Sequence, residues 1–283
     1  MLTRHFLNRH EKEKMSLRIA SSAICARIHG SSFQILMVKR SSLGSFKNLN
    51  VFPGGAVDAA DNCLNFGIEN TNINSLKITA IRETFEETGL QLFAPTLRNV
   101  DSWRESIHAS ASQFALFVNQ NNCKLNLDKV VYWANWISPL REPKRFDTHF
   151  FLFLVDSQDQ NSVITPDGSE TISLEWKTPR EFLDSFESGD ISLFPPQFCL
   201  LSDLCQLSAS DLKDFVDNKR KVDVKPFLPK FTPVIEGKLT SILPGDEYYE
   251  SPFNGPVGSR NRLKAELKIG GGFKSFQWIR SKL

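Results

Sequence analysis

The sequence predicts a mixed α/β fold of the α+β type, on three observations. Paired apolar runs of strand length open the chain, one helix carries an apolar stripe opposite a cluster of carboxylates, and three further strand-length runs follow. Ile19 to Ile28 and Phe33 to Lys39 are the first two runs, and His29, Gly30, Ser31 and Ser32 between them have the pattern of a hairpin. Phe52, Pro53, Gly54 and Gly55 form a tight turn. After a polar stretch from Asp61, a helix is expected to begin at Asn74 or Ser75, either of which can cap it, and to stop at Gly89. Ser102 to Val118 carries Trp103, Ile107, Phe114 and Val118 at helical spacing and reads as a second, packing helix. Tyr132 to Ile137, His149 to Val155 and Ile172 to Trp176 read as strands. Beyond Ile191 the composition shifts toward Pro and Gly, with a helix expected over Gln197 to Leu207 and extended pieces around Phe227 to Ile235.

Composition bounds the function. A chain of 283 residues with 41% hydrophobic content can bury one large core, or one core and an extension. Thirty-four Lys and Arg against 32 Asp and Glu leave a net charge of +2, so no chain-wide field argues for nucleic acid or an anionic membrane as partner. The longest apolar run, Phe150 to Val155, falls far short of the roughly 20 residues of a spanning helix. Five cysteines without a CxxC pair suggest neither a zinc site nor a redox dithiol. The expected organisation is a tail over 1–15, a catalytic domain over 16–190 with an insertion at about 62–74, an extension packed on the core over 191–270, and a flexible tail over 271–283. The basic start of the chain contains Glu11 and Glu13, which count against a mitochondrial presequence. Ser281, Lys282 and Leu283 form a tripeptide that the peroxisomal import receptor reads, and Gly270, Gly271 and Gly272 would tether it; peroxisomal localisation is expected.

The chemistry lies in Arg82, Glu83, Thr84, Phe85, Glu86, Glu87, Thr88, Gly89 and Leu90. At helical pitch Glu83, Glu86 and Glu87 share an arc of about 100°, while Ile78, Ile81 and Phe85 cluster opposite. Three carboxylates so close repel one another and favour proton uptake unless a cation joins them. Hard oxygen donors suit Mg²⁺ or Mn²⁺, and Arg82 is placed to hold a carboxylate in orientation.

This segment resembles the core of the Nudix box, with Thr84 at a normally apolar position. Gly54 and Gly55 match its opening glycines, and Asp61 stands where the family places a glutamate, although twenty residues, Asn62 to Ile81, separate it from Arg82. The resemblance implies a mixed sheet sandwiched between helices, and a metal held by Glu83, Glu86 and Glu87 with the carbonyl of Gly55. It also implies attack of a metal-activated water on a diphosphate. Glu83 is one candidate base; Glu170, in the polar loop before the strand of Trp176, is another.

Further segments are similar to the peroxisomal coenzyme A diphosphatase branch of the Nudix hydrolases. These are Val38 to Ser41, Val51 to Asp58, Arg145 to Thr148, Trp176 with Pro179, and Phe194 to Gln197. Coenzyme A or acyl-CoA is the substrate this implies, with 3′,5′-ADP and (acyl-)4′-phosphopantetheine as products. Arg40, Arg141, Lys144 and Arg145 are the cations available for its phosphates. An NADH or nucleotide-sugar diphosphatase would use the same box, and a nucleotide-binding module without catalysis is the reading of another class.

Overall fold

The computed structural model describes residues 17–42, 48–140, 142, 144–155, 164–218, 224–250, 256–269 and 271–281. The predicted hairpin is present as β1 (Leu17–His29) and β2 (Ser32–Arg40), turning at Gly30, where φ is 61°. In β1, Ala23 and Cys25 point into one apolar layer and Ile24 and Ala26 into the other, all fully buried, which makes β1 a central strand. Its second half pairs with β2. Its first half pairs instead with β4 (Gly54–Ala56), which follows β3 (Asn50–Val51) on the edge of β2. The glycine turn is thus wedged between the splayed hairpin strands.

Helix α1 (Asn72–Thr88) is the predicted carboxylate helix. It starts two residues before Asn74 because Thr71 is the cap, its hydroxyl accepting from Asn74 N, and it stops at Gly89 in the left-handed region at φ 74°. After β5 (Phe93–Ala94) come α2 (Asp101–Ala109) and α3 (Ser112–Gln120), where the sequence suggested one helix. Ser110 is extended at φ −159° and ψ 116°, which ends the helical ladder. The break lets Phe117 stack on Phe85 with ring centroids 5.2 Å apart while Ile107 seals the same layer.

Beyond β6 (Lys124–Leu125), β7 (Val130–Ile137) is antiparallel to β8 (Arg145–Leu154), which runs parallel to β1. β9 (Thr171–Lys177) closes the other edge on β2. The mixed sheet carries α1, α2 and α3 on one face. On the other lie α4 (Pro179–Ser188), α5 (Pro195–Leu204) and α6 (Ala209–Asp217).

The expected flexible tail over 271–283 is corrected. β10 (Lys230–Phe231), β11 (Lys238–Ile242), β12 (Asn261–Leu267) and β13 (Phe273–Arg280) form a second, antiparallel sheet. Gly271 and Gly272, at φ 107° and 84°, turn the chain from β12 into β13 rather than releasing it. Phe276 then packs on Phe186 of α4 and Phe198 of α5, with centroids 5.2 Å and 5.0 Å away. The insertion is also packed: Cys63 is fully buried and Phe66 lies 5.8 Å from Phe114. The predicted 1–15 tail, Arg141, Gly270, Lys282 and Leu283 lie outside the described residues.

Candidate active site

The apolar stripe of α1 (Ile78, Ile81 and Phe85, all fully buried) fixes which way its carboxylates face. Arg104 of α2 fixes its end: the guanidinium donates to the carbonyls of Phe85 and Glu86, and reaches Thr165 Oγ1 and O, each at 2.8 Å. Arg82 is the hub of the opposite face. Its Nε and Nη2 meet Asp61 Oδ1 and Oδ2 at 2.7 Å and 3.0 Å, and its Nη1 reaches Glu83 at 2.9 Å and Glu86 at 3.1 Å. Thr79 Oγ1 also donates to Asp61, at 2.8 Å. Despite the twenty residues between them in the sequence, Asp61 is thus the main partner of Arg82.

Glu87 accepts from Gly54 N at 3.0 Å and lies 3.3 Å from Arg40, which bonds Glu170 with its other nitrogen at 2.8 Å. The structure thus brings Glu170 and Glu87 to one guanidinium. Glu170 is held there by Asp167, whose Oδ1 accepts from the backbone N–H of Ser169 and Glu170. His108 joins the two sides of the site: Nδ1 lies 2.9 Å from Glu86 and Nε2 3.2 Å from Ser169 Oγ. Gly55 presses against Glu83; a Cβ there would sit 2.5 Å from its carboxyl carbon, so no side chain fits.

Burial sets the electrostatics. It pushes Glu83 up to about 7 against the pull of Arg82, with Glu86 adding to the rise, and it raises Glu87 well above the usual carboxylate range with help from Glu83. Glu86 is raised too, by burial offset by Arg82 and His108. Burial alone would disfavour the Arg82 charge, but Asp61, Glu83 and Glu86 hold the guanidinium protonated more firmly than usual.

Among the described residues no three acidic, His or Cys side chains converge as a ready metal cage, and Arg82 and Arg40 pair with the carboxylates here. The donor set nevertheless fits a divalent cation. Its oxygens are hard, and three carboxylates of one helix, Glu83, Glu86 and Glu87, lie within reach of only two guanidinium groups, Arg82 and Arg40.

One consequence is measurable without substrate. A carboxyl raised in the folded state stabilises most fully below its unfolded pKa near 4.5, and that contribution is lost as pH rises through about 7. In metal-free buffer the stability of wild type relative to E83Q should fall by about 1 to 3 kcal/mol between those limits. A pH-independent difference between the two melting curves would contradict the placement of Glu83.

The site opens on a cleft of about 1260 Å³. Of the residues singled out in the sequence, Arg40, Gly55, Arg82, Glu83, Glu86, Glu170 and Lys144 line it, whereas Glu87, 3% exposed, lies behind them. Arg145 does not line it: on β8 the side chains of Phe146, Thr148 and Phe150 face the cleft, and Arg145, one step out of phase, donates to Ser138 O at 3.1 Å. Arg18 of β1 faces the cleft instead. Sequence reasoning missed Arg18, His108, Ser169 and Asp167. His108 lies 22 positions from its partner Glu86, and no local spacing signals that pair.

A family model described as the NUDT19 Nudix domain matches residues 70–204. The chain is 32% identical to putative nudix hydrolase 7 of Caenorhabditis elegans, over 84% of this chain and 76% of that protein. It is 28% identical to the acyl-coenzyme A diphosphatase NUDT19 of Xenopus laevis, over 77% and 72%. In three dimensions it resembles a Nudix hydrolase from Alicyclobacillus acidocaldarius, with a TM-score of 0.62 at 20% identity, over 72% of this chain and 96% of that one. At 32% identity over 76% of the Caenorhabditis elegans protein, the chain belongs to the Nudix hydrolases.

Proposed function

We propose that the protein hydrolyses the diphosphate bridge of coenzyme A or acyl-CoA with Mg²⁺ or Mn²⁺, releasing 3′,5′-ADP and (acyl-)4′-phosphopantetheine. The observation that carries this reading is a cleft whose lining joins carboxylates and arginines to a set of apolar side chains from the C-terminal extension. Relatives named acyl-coenzyme A diphosphatases, in Xenopus laevis, Gallus gallus and Homo sapiens, support it.

Glu83, Glu86 and Glu87, together with the Gly55 carbonyl, would hold the metal, which when bound offsets phosphate charge and acidifies water. Arg40, Arg18 and Lys144 supply local positive charge for phosphate oxygens. Glu170, exposed and paired with Arg40, would accept a proton from an attacking water, with Glu83 the alternative base. The test is incubation with Mg²⁺ and, separately, coenzyme A, an acyl-CoA, NADH and ADP-ribose, with products resolved by mass. Cleavage of the acyl-CoA thioester or of the 3′-phosphate ester, preference for NADH or ADP-ribose, or full turnover in excess EDTA would each overturn the reading.

Peroxisomal import through Ser281, Lys282 and Leu283 is part of the same proposal. Ser281 belongs to the fold as well, since its N–H donates to Arg260 O and its Oγ accepts from Arg260 N, both at 2.8 Å. Deleting Lys282 and Leu283 should move a tagged protein to the cytosol while turnover of the purified enzyme stays at the wild-type value. Deleting Ser281 as well should cost a further 1 to 2 kcal/mol, roughly two hydrogen bonds. Unchanged peroxisomal fluorescence after the two-residue deletion would end the targeting proposal.

A further inference from the structure

We propose that the C-terminal extension receives the amide-bearing arm of coenzyme A, and that Gln197 reads that arm through its side-chain oxygen. The inference rests on the coenzyme A reading above and says which residues make it specific. The cleft, at about 1260 Å³, exceeds the roughly 300 to 1000 Å³ of an ordinary small-molecule site, so a diphosphate alone would leave much of it unfilled. The apolar part of its lining includes Phe194, Pro195, Phe231, Leu239, Leu267 and Phe273, contributed by the start of α5 and by the second sheet. That surface suits a long, largely apolar chain and disfavours the hydroxyl-rich second half of a nucleotide sugar.

Polar recognition on this wall is narrow. α5 begins with Pro195 and Pro196, which carry no N–H, so its first turn cannot offer the usual set of free donors to a ligand. Gln197 follows them. It is 9% exposed, it lines the cleft, and its Oε1 is closed off from water with no hydrogen-bond partner. An orphaned buried acceptor is unfavourable and calls for a donor. The terminal amide turns about a soft torsion, so an N–H entering the cleft can meet it. A mostly apolar chain with N–H donors, joined to a diphosphate, describes the pantetheine arm, which carries two amides. Gln197 is therefore a specificity-determining residue, remote from the bond that breaks.

The experiment compares coenzyme A with a 3′-phospho-ADP ester of a plain alkyl chain of similar length, without amides. Both are assayed with wild type, Q197M and Q197E at saturating Mg²⁺. Q197M, which keeps shape and loses the acceptor, should lower the ratio of kcat/KM for coenzyme A over the alkyl ester by about five- to tenfold, mainly through KM. Q197E, which keeps length and an oxygen acceptor, should hold the ratio within about twofold. Equal losses on both substrates, no loss with Q197M, or the same collapse of the ratio in Q197E would overturn the assignment. If wild type cleaves the alkyl ester and leaves coenzyme A intact, the functional reading falls first and the assignment with it.

Discussion

Replacing Glu87 by Gln should lower turnover by about three orders of magnitude and leave the protein folded, with a metal-free form at least as stable as wild type at neutral pH. The carboxylate is 3% exposed, and its proton affinity is raised well above the usual range by burial and by Glu83, with only Arg40 and Gly54 N to oppose them. A neutral amide of the same shape removes that desolvation cost and can still accept from Gly54 N. Arg40 keeps its 2.8 Å bond to Glu170, so the change does not strand its charge. What is lost is a hard anionic donor at the centre of the cluster. The informative pair of measurements is kcat with Mg²⁺ and the melting temperature with and without it. Wild type should be stabilised by added Mg²⁺ and E87Q much less, because a ligand that binds only the folded state stabilises in proportion to its affinity. Wild-type turnover in E87Q would remove Glu87 from the chemistry, and equal stabilisation by Mg²⁺ would remove it from the metal site.

The carboxylates were legible in the sequence because everything needed to place them is local: four residues of one helix and a periodicity that sets their face. Gly89 was legible as a stop for the same reason. The α2–α3 break was not, since neither Gly nor Pro lies between Asp101 and Gln120 and the interruption is set by packing around Phe85. Two helices went unread although signals were present. Thr178 with Glu181 and Ser208 with Asp211 are reciprocal caps, and Pro179 occupies the first turn of α4. The second sheet was hidden by its glycines, which read as a tether at 270–272 and in fact turn β12 into β13. His108, Arg18 and Asp167 reach the site from three separate elements or loops, and only the assembled fold brings them together.

Asp61 shows how far an insertion can stretch a motif without breaking it, and it carries the largest expected effect on stability. Its carboxylate is 1% exposed and holds Arg82, 4% exposed, by two nitrogens, while Thr79 Oγ1 and Asp58 N donate to the same group. Alanine at position 61 leaves a buried guanidinium without its main partner, a defect that costs about 3 to 5 kcal/mol. For a chain of this size that corresponds to a fall in melting temperature of at least about 6 °C. The freed guanidinium would turn more of its charge to Glu83 and Glu86, which already share its Nη1, so D61A should also weaken Mg²⁺-dependent stabilisation. Changing Arg82 to Met in the same chain separates the two consequences. Removing both members of a buried pair is far less costly than removing one, so D61A/R82M should recover much of the lost stability. Turnover should stay low, because the guanidinium that holds Glu83 and Glu86 together is then gone. A D61A variant that melts within about 2 °C of wild type would mean that this ion pair does not lock the helix to the glycine turn.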